Sequence, residues 1–565
     1  MAPTRRSTEQ LLPFVLVMLT AAVSWYAHAQ AWDLGRRSPI LSPASAQVAL
    51  AAREMRWRGH LATPFAVPLD LVRHAGPPWP LSAVQPGLVL IEALIFKLAP
   101  AHGVPVGSDP RAWLTLLVPF TSFLLLGALG MFGTRHLLAR YVPDATAWVR
   151  SGAPAVIGLG LALDPEAQHL AISGLPELPA TLLLLAAILG LARGSGATHP
   201  LAFGLLLGVA GLFRAQMAWL GPLFALLAGW SATAGAGRRT ALLALAGFAL
   251  PLLPWWGYQW STFGAPGWDL ARFALWDQVE GRSLLEMLHR PEPPDVPAVL
   301  DAVPLLGGKL AQNLGRLLPL VLEGPRGLWL GALAAWLLTR PARPLAAAGL
   351  AALAGFVLEL LAAGLGLAWP RDLYPMRTLA EAAGLFALWT LLGRWSAAGR
   401  RVRAALRAAV AVLALGWGVW LSHAARVEAG TASRERGVPA SRSLTALSAT
   451  LNGVLRPGET VMSNLGPSLA WQTNHPVLAL ALAPADVAAC RRRHDFRHIV
   501  LVFRHAERAW PAWREIVEHA GTAATVSELG VSRERRMQTA DGFHVVWLEL
   551  GPLPSALAAA ARRRG

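Results

Sequence analysis

Long apolar segments recur along this chain and constrain its fold more than any other feature. A helix that crosses the hydrocarbon core of a bilayer, about 30 Å thick, needs roughly 20 mainly apolar residues. The windows that meet or approach this length predict a polytopic α-helical membrane protein with about eleven transmembrane helices. Several windows are short, which favours tilted or broken helices packed inside a bundle. The predicted spans lie near residues 11–29, 112–133, 149–163, 176–192, 201–214, 217–232, 240–260, 317–338, 345–367, 375–393 and 404–422.

The composition supports a membrane protein and excludes several other classes. Of the 565 residues, 54% are hydrophobic and 15% are charged, whereas soluble proteins carry about 25% charged residues. Cys490 is the only cysteine, which excludes a secreted fold built on intrachain disulfides. The net charge of +17 is nearly all arginine, and the arginines do not form a basic stripe interleaved with aromatic residues. We therefore expect membrane lipids as surroundings and no nucleic-acid partner.

The placement of arginine predicts the orientation of the chain. Arg5 and Arg6 precede the first span, and the short loops predicted to face the same side hold Arg135, Arg140 and the 394–407 cluster. Short cytoplasmic loops carry an excess of basic residues, so the N-terminus is predicted to be cytoplasmic. An odd number of spans then puts the C-terminus in the periplasm. We expect a multi-pass protein of a bacterial inner (cytoplasmic) membrane.

Polar regions divide the chain into predicted domains. Residues 1–422 form the transmembrane domain, which includes a first periplasmic loop at 30–111 with interfacial helices and a second large loop at 263–316. Residues 423–553 alternate short strands and helices, which indicates a soluble α/β domain. Residues 554–565 form a basic tail. The predicted strands are 459–463, 476–481, 498–503 and 543–550, and the predicted helices lie near 486–493 and 510–520.

Several motifs, in a fixed order, carry a resemblance to a known family. Segment 44–55 (ASAQVALAAREM), followed by Gly59, resembles the first-loop motif of GT-C superfamily membrane glycosyltransferases, above all bacterial protein-mannosyltransferase and lipid A aminoarabinose transferase relatives. The chain also has Gln85-Pro86-Gly87 before an apolar helix, GVAGLFR at 208–214, LPWW at 253–256 and RDLYP at 371–375. These segments are similar to later elements of the same family, and the likeness covers about residues 10–390.

The resemblance implies an activity. A GT-C enzyme moves a sugar from a polyprenyl-phosphate carrier to an acceptor on the outer membrane face, with the lipid-linked sugar as substrate. We expect no cofactor and no metal, because no second histidine is spaced to support His169 as a metal ligand. Arg214, Arg371 and Tyr374 are the residues that it points to for substrate binding. An acidic partner would equally explain a buried Arg214. Anchoring at the membrane interface would explain Arg371 and Tyr374, and Asp372 could pair with Arg371.

The chain departs from the family at the catalytic base. The two acidic positions of the first-loop motif are Ala44 and Ser45 here, and the usual tyrosine is Val48. Alanine cannot accept a proton, so either another carboxylate serves or the chain is catalytically silent.

Four acids on the predicted outer side are candidate substitutes, and each has a structural alternative. Asp70 could be a solvated loop charge, and Glu92 could pair with Lys97. Asp164 and Glu177 lie in a turn between two spans, where helix capping and the helix dipole would account for them.

Two functions remain open from the sequence. The first is a polyprenyl-phosphate-dependent glycosyltransferase that modifies an envelope acceptor. The second is a silent GT-C relative that binds a lipid-linked sugar or scaffolds envelope-assembly proteins through its C-terminal domain. A transporter is disfavoured because the two halves show no matched broken helices.

Overall fold

The computed structural model describes residues 4–32, 42–98, 111–233, 235–323, 326–395, 441–504, 510–518 and 529–552. The chain folds into two compact units, each assembled from three separate stretches. The bundle unit contains Met1–Trp32, Leu116–Tyr258 and Gly307–Arg434, and the sheet unit contains Asp33–Thr115, Gln259–Leu306 and Glu435–Gly565. The predicted span at 404–422 and the predicted tail at 554–565 lie outside the described residues.

Helices make up the bundle unit because its segments are apolar and rich in alanine and leucine, which favour helices. Three helical segments are long and apolar enough to cross a membrane, namely Arg111–Tyr141, Gly237–Phe263 and Arg343–Leu365. Shorter apolar helices accompany them, as the lengths of the predicted spans indicated. The helices that contribute to this unit are α1 (Thr4–Ala31), α5 (Leu117–Tyr141), α6 (Ala147–Leu163), α7 (Pro165–Ala171), α8 (Glu177–Arg193), α9 (Ser195–Thr198), α10 (Pro200–Phe213), α11 (Met217–Ser231), α12 (Gly237–Phe263), α14 (Val303–Val321), α15 (Arg326–Leu338), α16 (Arg343–Leu365) and α17 (Tyr374–Trp395).

The structure supports a helical membrane protein, but the number of about eleven spans stays a prediction. The predicted span at 317–338 falls on two helices, because α14 ends at Val321 and α15 begins at Arg326. With 13 residues, α15 is about 20 Å long, shorter than the hydrocarbon core.

Glycine allows two helices of the bundle to approach closely. The glycine-rich span predicted at 201–214 is α10, and its Gly204 and Gly208 face α12. A Cβ atom at Gly204 would overlap the carbonyl oxygen of Ala244, and one at Gly208 would overlap that of Phe248. Small residues four apart permit this kind of contact between membrane helices.

A six-stranded sheet organises the other unit, in the order β2-β5-β4-β6-β8-β7. The first four strands in this order are parallel, and β8 and β7 are antiparallel additions. A separate two-stranded pair joins β1 to β3. The strands are β1 (Ala62–Thr63), β2 (Phe65–Ala66), β3 (Trp79–Pro80), β4 (Val461–Ser463), β5 (Val477–Ala479), β6 (His498–Phe503), β7 (Val531–Gln538) and β8 (His544–Leu550).

The edge strand β2 comes from the first loop, which the sequence analysis assigned to the transmembrane domain. Phe65 and Ala66 pair in parallel with Val477 and Leu478 of β5. The second large loop also contacts the C-terminal region. A hydrogen bond of 2.7 Å joins the Nδ1 atom of His289 to the carbonyl oxygen of Leu480. The sheet unit is therefore built from both predicted loops together with the C-terminal region.

Helices cover the sheet and complete its hydrophobic core. Trp79, Trp513 and Ile499 are fully buried there, and so is Cys490, which packs as an ordinary core residue. The helices of this unit are α2 (Pro43–Arg58), α3 (Pro86–Leu98), α4 (Arg111–Leu114), α13 (Leu284–His289), and four in the C-terminal region at Ser441–Asn452, Pro467–Thr473, Pro484–Arg493 and Pro511–Glu518.

Arg53 joins the first loop to the C-terminal region inside the sheet unit. This arginine of the ALAAREM motif lies on α2 and is 2% exposed. Its guanidinium donates hydrogen bonds of 3.2 Å to the carbonyl oxygens of Ala470 and Trp471, and it stacks on the Trp471 ring. Charged hydrogen bonds to buried carbonyl groups are strong because neither partner has access to water.

Replacing Arg53 tests this connection. We expect Arg53→Leu to destabilise the sheet unit by about 3 kcal/mol, since two buried carbonyl groups lose a charged donor. Arg56→Leu is the matched control, because Arg56 lies on the same helix and is only half-buried. Denaturant unfolding followed by tryptophan fluorescence measures the difference. Equal shifts in the two variants would show that Arg53 does not hold the unit together.

Candidate active site

Charged side chains collect inside the bundle unit, where burial makes each of them costly unless it is paired. They come from the turn between α6 and α8, the end of α10, the middle of α16, the start of α15 and the first turns of α17. Most of these helix ends are those that the arginine distribution places on the outer face. The charged members are Asp164, Glu166, Glu177, Arg214, Arg326, Glu359, Arg371, Asp372, Arg377 and Glu381.

Arg214 is at the centre of the first group. It follows the last residue of α10 in an extended conformation and is 5% exposed. One guanidinium nitrogen lies 3.3 Å from a carboxylate oxygen of Asp372, and another lies 4.0 Å from Glu177. Its Nε donates to the side-chain oxygen of Gln216 at 3.0 Å. The acidic-partner alternative for Arg214 is therefore realised, with two carboxylates rather than one.

Glu359 supports the same group from α16. It is 3% exposed, and one carboxylate oxygen accepts a hydrogen bond of 3.1 Å from the backbone N–H of Met376. This bond satisfies a free donor in the first turn of α17, where the helix dipole favours a negative charge. Glu359 also lies near enough to Arg214 for a favourable charge interaction. Glu359 thereby fixes the corner before α17, which is the 3₁₀ turn Pro370–Leu373 that carries Asp372.

A second group surrounds Arg377 on α17. Arg377 forms an ion pair with Glu166, and its Nε lies 3.6 Å from Glu381 one turn further along the same helix. Glu381 in turn lies 3.1 Å from Arg326 at the start of α15. The chain of contacts connects α7, α15 and α17, so it holds the turn after α6 against α17.

Two of the predicted candidate bases, Asp164 and Glu177, lie in these groups, and they differ in their surroundings. The Asp164 carboxylate caps α7 by accepting from the N–H of Glu166 at 3.1 Å, as the capping alternative predicted. Glu177 is the first residue of α8 and is 6% exposed. Its second carboxylate oxygen has no hydrogen-bond partner among the described residues. Of the two, Glu177 is the one with a free oxygen beside Arg214.

The predicted substrate residues Arg371 and Tyr374 flank the first group. The guanidinium of Arg371 lies over the ring of Trp369, 4.5 Å from its centroid, while Asp372 pairs with Arg214 instead of with Arg371. Tyr374 is fully buried at the start of α17, so it is not an exposed interfacial anchor. The structure thus gathers Glu177, Arg214, Arg371 and Tyr374 in one region of the bundle unit.

Asp70 belongs to the sheet unit and has a structural role there. It is 8% exposed, so the solvated-charge alternative is wrong. Its carboxylate accepts from the backbone N–H of Val67 at 3.1 Å and caps the 3₁₀ turn Pro68–Val72. Burial raises the pKa of Asp70 from 3.8 to about 6, against the opposing effect of its hydrogen bonds to Val67 and Ser82.

Glu92 on α3 is also buried in the sheet unit. It is 0% exposed, and neither carboxylate oxygen has a hydrogen-bond partner among the described residues. The predicted pairing with Lys97 is therefore not formed. Burial raises the pKa of Glu92 well above its usual value, because the charged form loses its hydration.

The positions of the missing acids, Ala44 and Ser45, lie in the first turn of α2. Ser42 caps this helix, and Ser45 completes a capping box with reciprocal bonds of 3.1 Å between each backbone N–H and the other hydroxyl. Ser45 is 1% exposed. A serine pair of this kind stabilises the start of a helix, so the position that carries an acid in the family has a local structural role here.

The sequence analysis missed four members of the two groups: Arg326, Glu359, Arg377 and Glu381. A signal was present, because Glu359 interrupts the apolar run FVLELL and Arg377 and Glu381 are four residues apart inside a predicted span. Ionisable residues within a span are expensive in lipid and usually face a partner or a site.

Comparisons with known proteins agree with this arrangement at the level of fold. The sequence matches no protein-family model and no curated protein. The structure is similar to ArnT from Cupriavidus metallidurans bound to undecaprenyl phosphate, with a TM-score of 0.52 and 14% identity over 95% of this chain and 99% of that one. The apo state of the same protein gives a TM-score of 0.52 and 14% identity over 97% and 100%.

A second solved structure extends the likeness. The oligosaccharyltransferase of Archaeoglobus fulgidus, in a complex with Zn and sulfate, matches with a TM-score of 0.53 and 12% identity over 93% of this chain and 72% of that one. ArnT is a lipid A aminoarabinose transferase, and both proteins are members of the GT-C superfamily. This chain has the GT-C fold. The fold-level resemblance predicted from the sequence motifs is therefore confirmed, whereas the roles of the site residues and the absence of a metal stay predictions.

Asp70 provides a pH test of its assigned role. Its folded-state pKa of about 6 lies above the ordinary 3.8, so folding stability is full below pH 4 and falls as the pH rises toward 6. Asp70→Asn keeps an acceptor for Val67 and stays neutral. We expect this variant to be more stable than the wild type at pH 7 by at most about 3 kcal/mol, with no difference near pH 3.5. Thermal unfolding across this pH range measures it, and a variant less stable than the wild type by the same amount at every pH would refute the raised pKa of Asp70.

Proposed function

We propose that this protein is a membrane glycosyltransferase that moves a sugar from a polyprenyl-phosphate donor to an envelope acceptor. The GT-C fold supports the general class, and the ArnT structure with bound undecaprenyl phosphate supports a polyprenyl-phosphate ligand. We also propose a location in a bacterial inner membrane, with the N-terminus in the cytoplasm and the site on the periplasmic side, which the arginine distribution supports.

The proposal rests on the buried Arg214, which lies beside two carboxylates, Glu177 and Asp372. One of them can give up its ion pair with the arginine. Asp372 is 24% exposed at its side chain and lies on a corner, so an incoming phosphate can displace it. Arginine binds phosphate through paired N–H donors, and such charged bonds are strong where water is excluded. Arg371, held on the ring of Trp369, can add a second positive charge. Together they would stabilise the lipid phosphate as it leaves.

Glu177 is the carboxylate that we assign as general base. Its free oxygen and its position 4.0 Å from Arg214 would put it beside a phosphate bound there. In the reaction, the acceptor hydroxyl or amine attacks the anomeric carbon and gives its proton to Glu177. The bond from that carbon to the phosphate oxygen breaks, and its electron pair leaves with the lipid phosphate. The bundle keeps bulk water away and so limits hydrolysis of the donor.

Two substitutions separate the roles of base and phosphate ligand. We expect Glu177→Gln to lower transfer from undecaprenyl-phosphate-linked sugars by about 10²–10⁴-fold while binding of undecaprenyl phosphate persists. Arg214→Gln should lose both binding and transfer. Purified protein in nanodiscs, a panel of undecaprenyl-phosphate-linked hexoses and pentoses, and native mass spectrometry supply the measurements.

Glu286→Gln is the matched control for these variants. Glu286 forms an exposed ion pair with Arg290 in the sheet unit, at 2.8 Å and 40% exposure, and its replacement should leave transfer unchanged. Full transfer by Glu177→Gln would exclude Glu177 as the base. Undiminished binding of undecaprenyl phosphate by Arg214→Gln would contradict the phosphate site.

A second candidate function is a silent GT-C relative that binds a lipid-linked sugar without transferring it, or that scaffolds envelope-assembly proteins. The capping box at Ser42 and Ser45 favours this second function, because Ser45 stands at one of the family's acidic positions and caps a helix instead. Under this alternative Arg214 still binds the phosphate, but no base acts on the acceptor.

Restoring the acids distinguishes the two functions. Aspartate and glutamate are favourable in the first turn of a helix, so Ala44→Asp combined with Ser45→Glu should fold. If the wild type is silent, this double variant should gain sugar transfer from an undetectable level. If the wild type is active through Glu177, the double variant should show no such gain, and Glu177→Gln should remain inactive. The same nanodisc transfer assay measures both.

A further inference from the structure

An apolar segment is exposed in the second large loop. Residues 296–308 (VPAVLDAVPLLGG) contain one charged side chain, Asp301. Val299 is 52% exposed, Leu300 is 85% exposed and Val303 is 55% exposed. A contiguous run of this kind is rarely left in water by a folded protein and usually marks a contact surface.

The segment leads directly into the amphipathic helix α14. One face of α14 is buried and includes Leu306, Asn313 and Leu317. The Asn313 side chain donates a hydrogen bond of 2.8 Å to the carbonyl oxygen of Gly364, at the end of the apolar helix α16. This bond fixes the middle of α14 at the level where α16 ends.

Further exposed leucines lie where α14 ends. Leu318 and Leu320 are 39% and 46% exposed in its last turn, and Leu322, which follows the helix, is 48% exposed. A helix that packs one face on an apolar bundle and carries exposed leucines lies well in the boundary between headgroups and acyl chains. The exposed apolar run at 299–305 is therefore joined through α14 to the apolar bundle unit.

We propose that residues 299–305 insert into the outer boundary of the bilayer and contact phospholipid acyl chains. The chemistry favours lipid, because the segment offers leucine and valine with a single charge and no hydrogen-bonding pattern for a specific partner. The preceding stretch differs sharply: Glu286, Arg290, Glu292 and Asp295 all fall within ten residues. The insertion would hold this charged stretch next to the membrane surface. This proposal does not depend on the proposed enzymatic activity.

The single cysteine makes a direct test possible. Cys490 is 0% exposed, so a thiol-reactive probe should label only a cysteine introduced at the surface. Leu300→Cys carries an environment-sensitive NBD probe on the most exposed residue of the segment. Val454→Cys is the matched control, because Val454 is an exposed apolar residue of the C-terminal region, at 44% exposure. Both variants are placed in nanodiscs of phosphatidylethanolamine and phosphatidylglycerol, with and without brominated acyl chains.

The proposal predicts that the probe at residue 300 emits at shorter wavelength, loses most of its fluorescence to brominated lipid and resists aqueous iodide. The probe at residue 454 should respond to iodide alone. Quenching of the residue 300 probe by iodide would overturn the proposal, because the segment would then be in water. Resistance to both quenchers would also overturn it, since protein and not lipid would cover the segment. Val299→Cys repeats the measurement if the first variant does not fold.

Discussion

A guanidinium enclosed in a membrane bundle has to be neutralised, and this requirement at Arg214 determines the arrangement around it. The group ends α10 and meets carboxylates from α8 and from the corner before α17. Glu359 holds that corner by bonding to the first turn of α17. Because the bond between Glu359 and Met376 does not involve Arg214, this turn would keep its position when a phosphate takes the place of Asp372. Preorganised charge of this kind is what a leaving phosphate needs.

The first loop departs from the family motif only locally, because other parts of the loop keep structural roles in the sheet unit. Arg53 of the same motif holds α2 against the carbonyl groups of residues 470 and 471, and β2 adds an edge strand to the sheet. Ala44 and Ser45 stand at the two acidic positions, Val48 stands at the usual tyrosine, and Ser45 completes the capping box of α2. The loop therefore keeps its structural role in the sheet unit, and any catalysis has to use a carboxylate from elsewhere.

Sequence reasoning predicted what depends on local pattern. Within the described residues the apolar windows fall on helices, although the window at 317–338 covers parts of two. The 498–503 strand was placed at its observed limits, and the order of motifs led to the GT-C fold. Strand β7 was missed because its sequence, VSRERRMQ, is that of an exposed, charged edge strand with no buried face. The pairing of β2 with β5 joins residues about four hundred positions apart, and no short-range pattern carries such a contact. The pairing of Arg377 with Glu166 was missed for the same reason, because Glu166 lies on a different helix.

The central claim is that Arg214 binds the phosphate of a polyprenyl lipid, and locating that phosphate tests it most directly. A cryo-electron microscopy map of the protein in nanodiscs with added undecaprenyl phosphate would show its position. The account predicts phosphate density within about 3 Å of the Arg214 guanidinium, with the Asp372 side chain moved away. Density for the phosphate at another position, with the Arg214–Asp372 pair intact, would contradict the account.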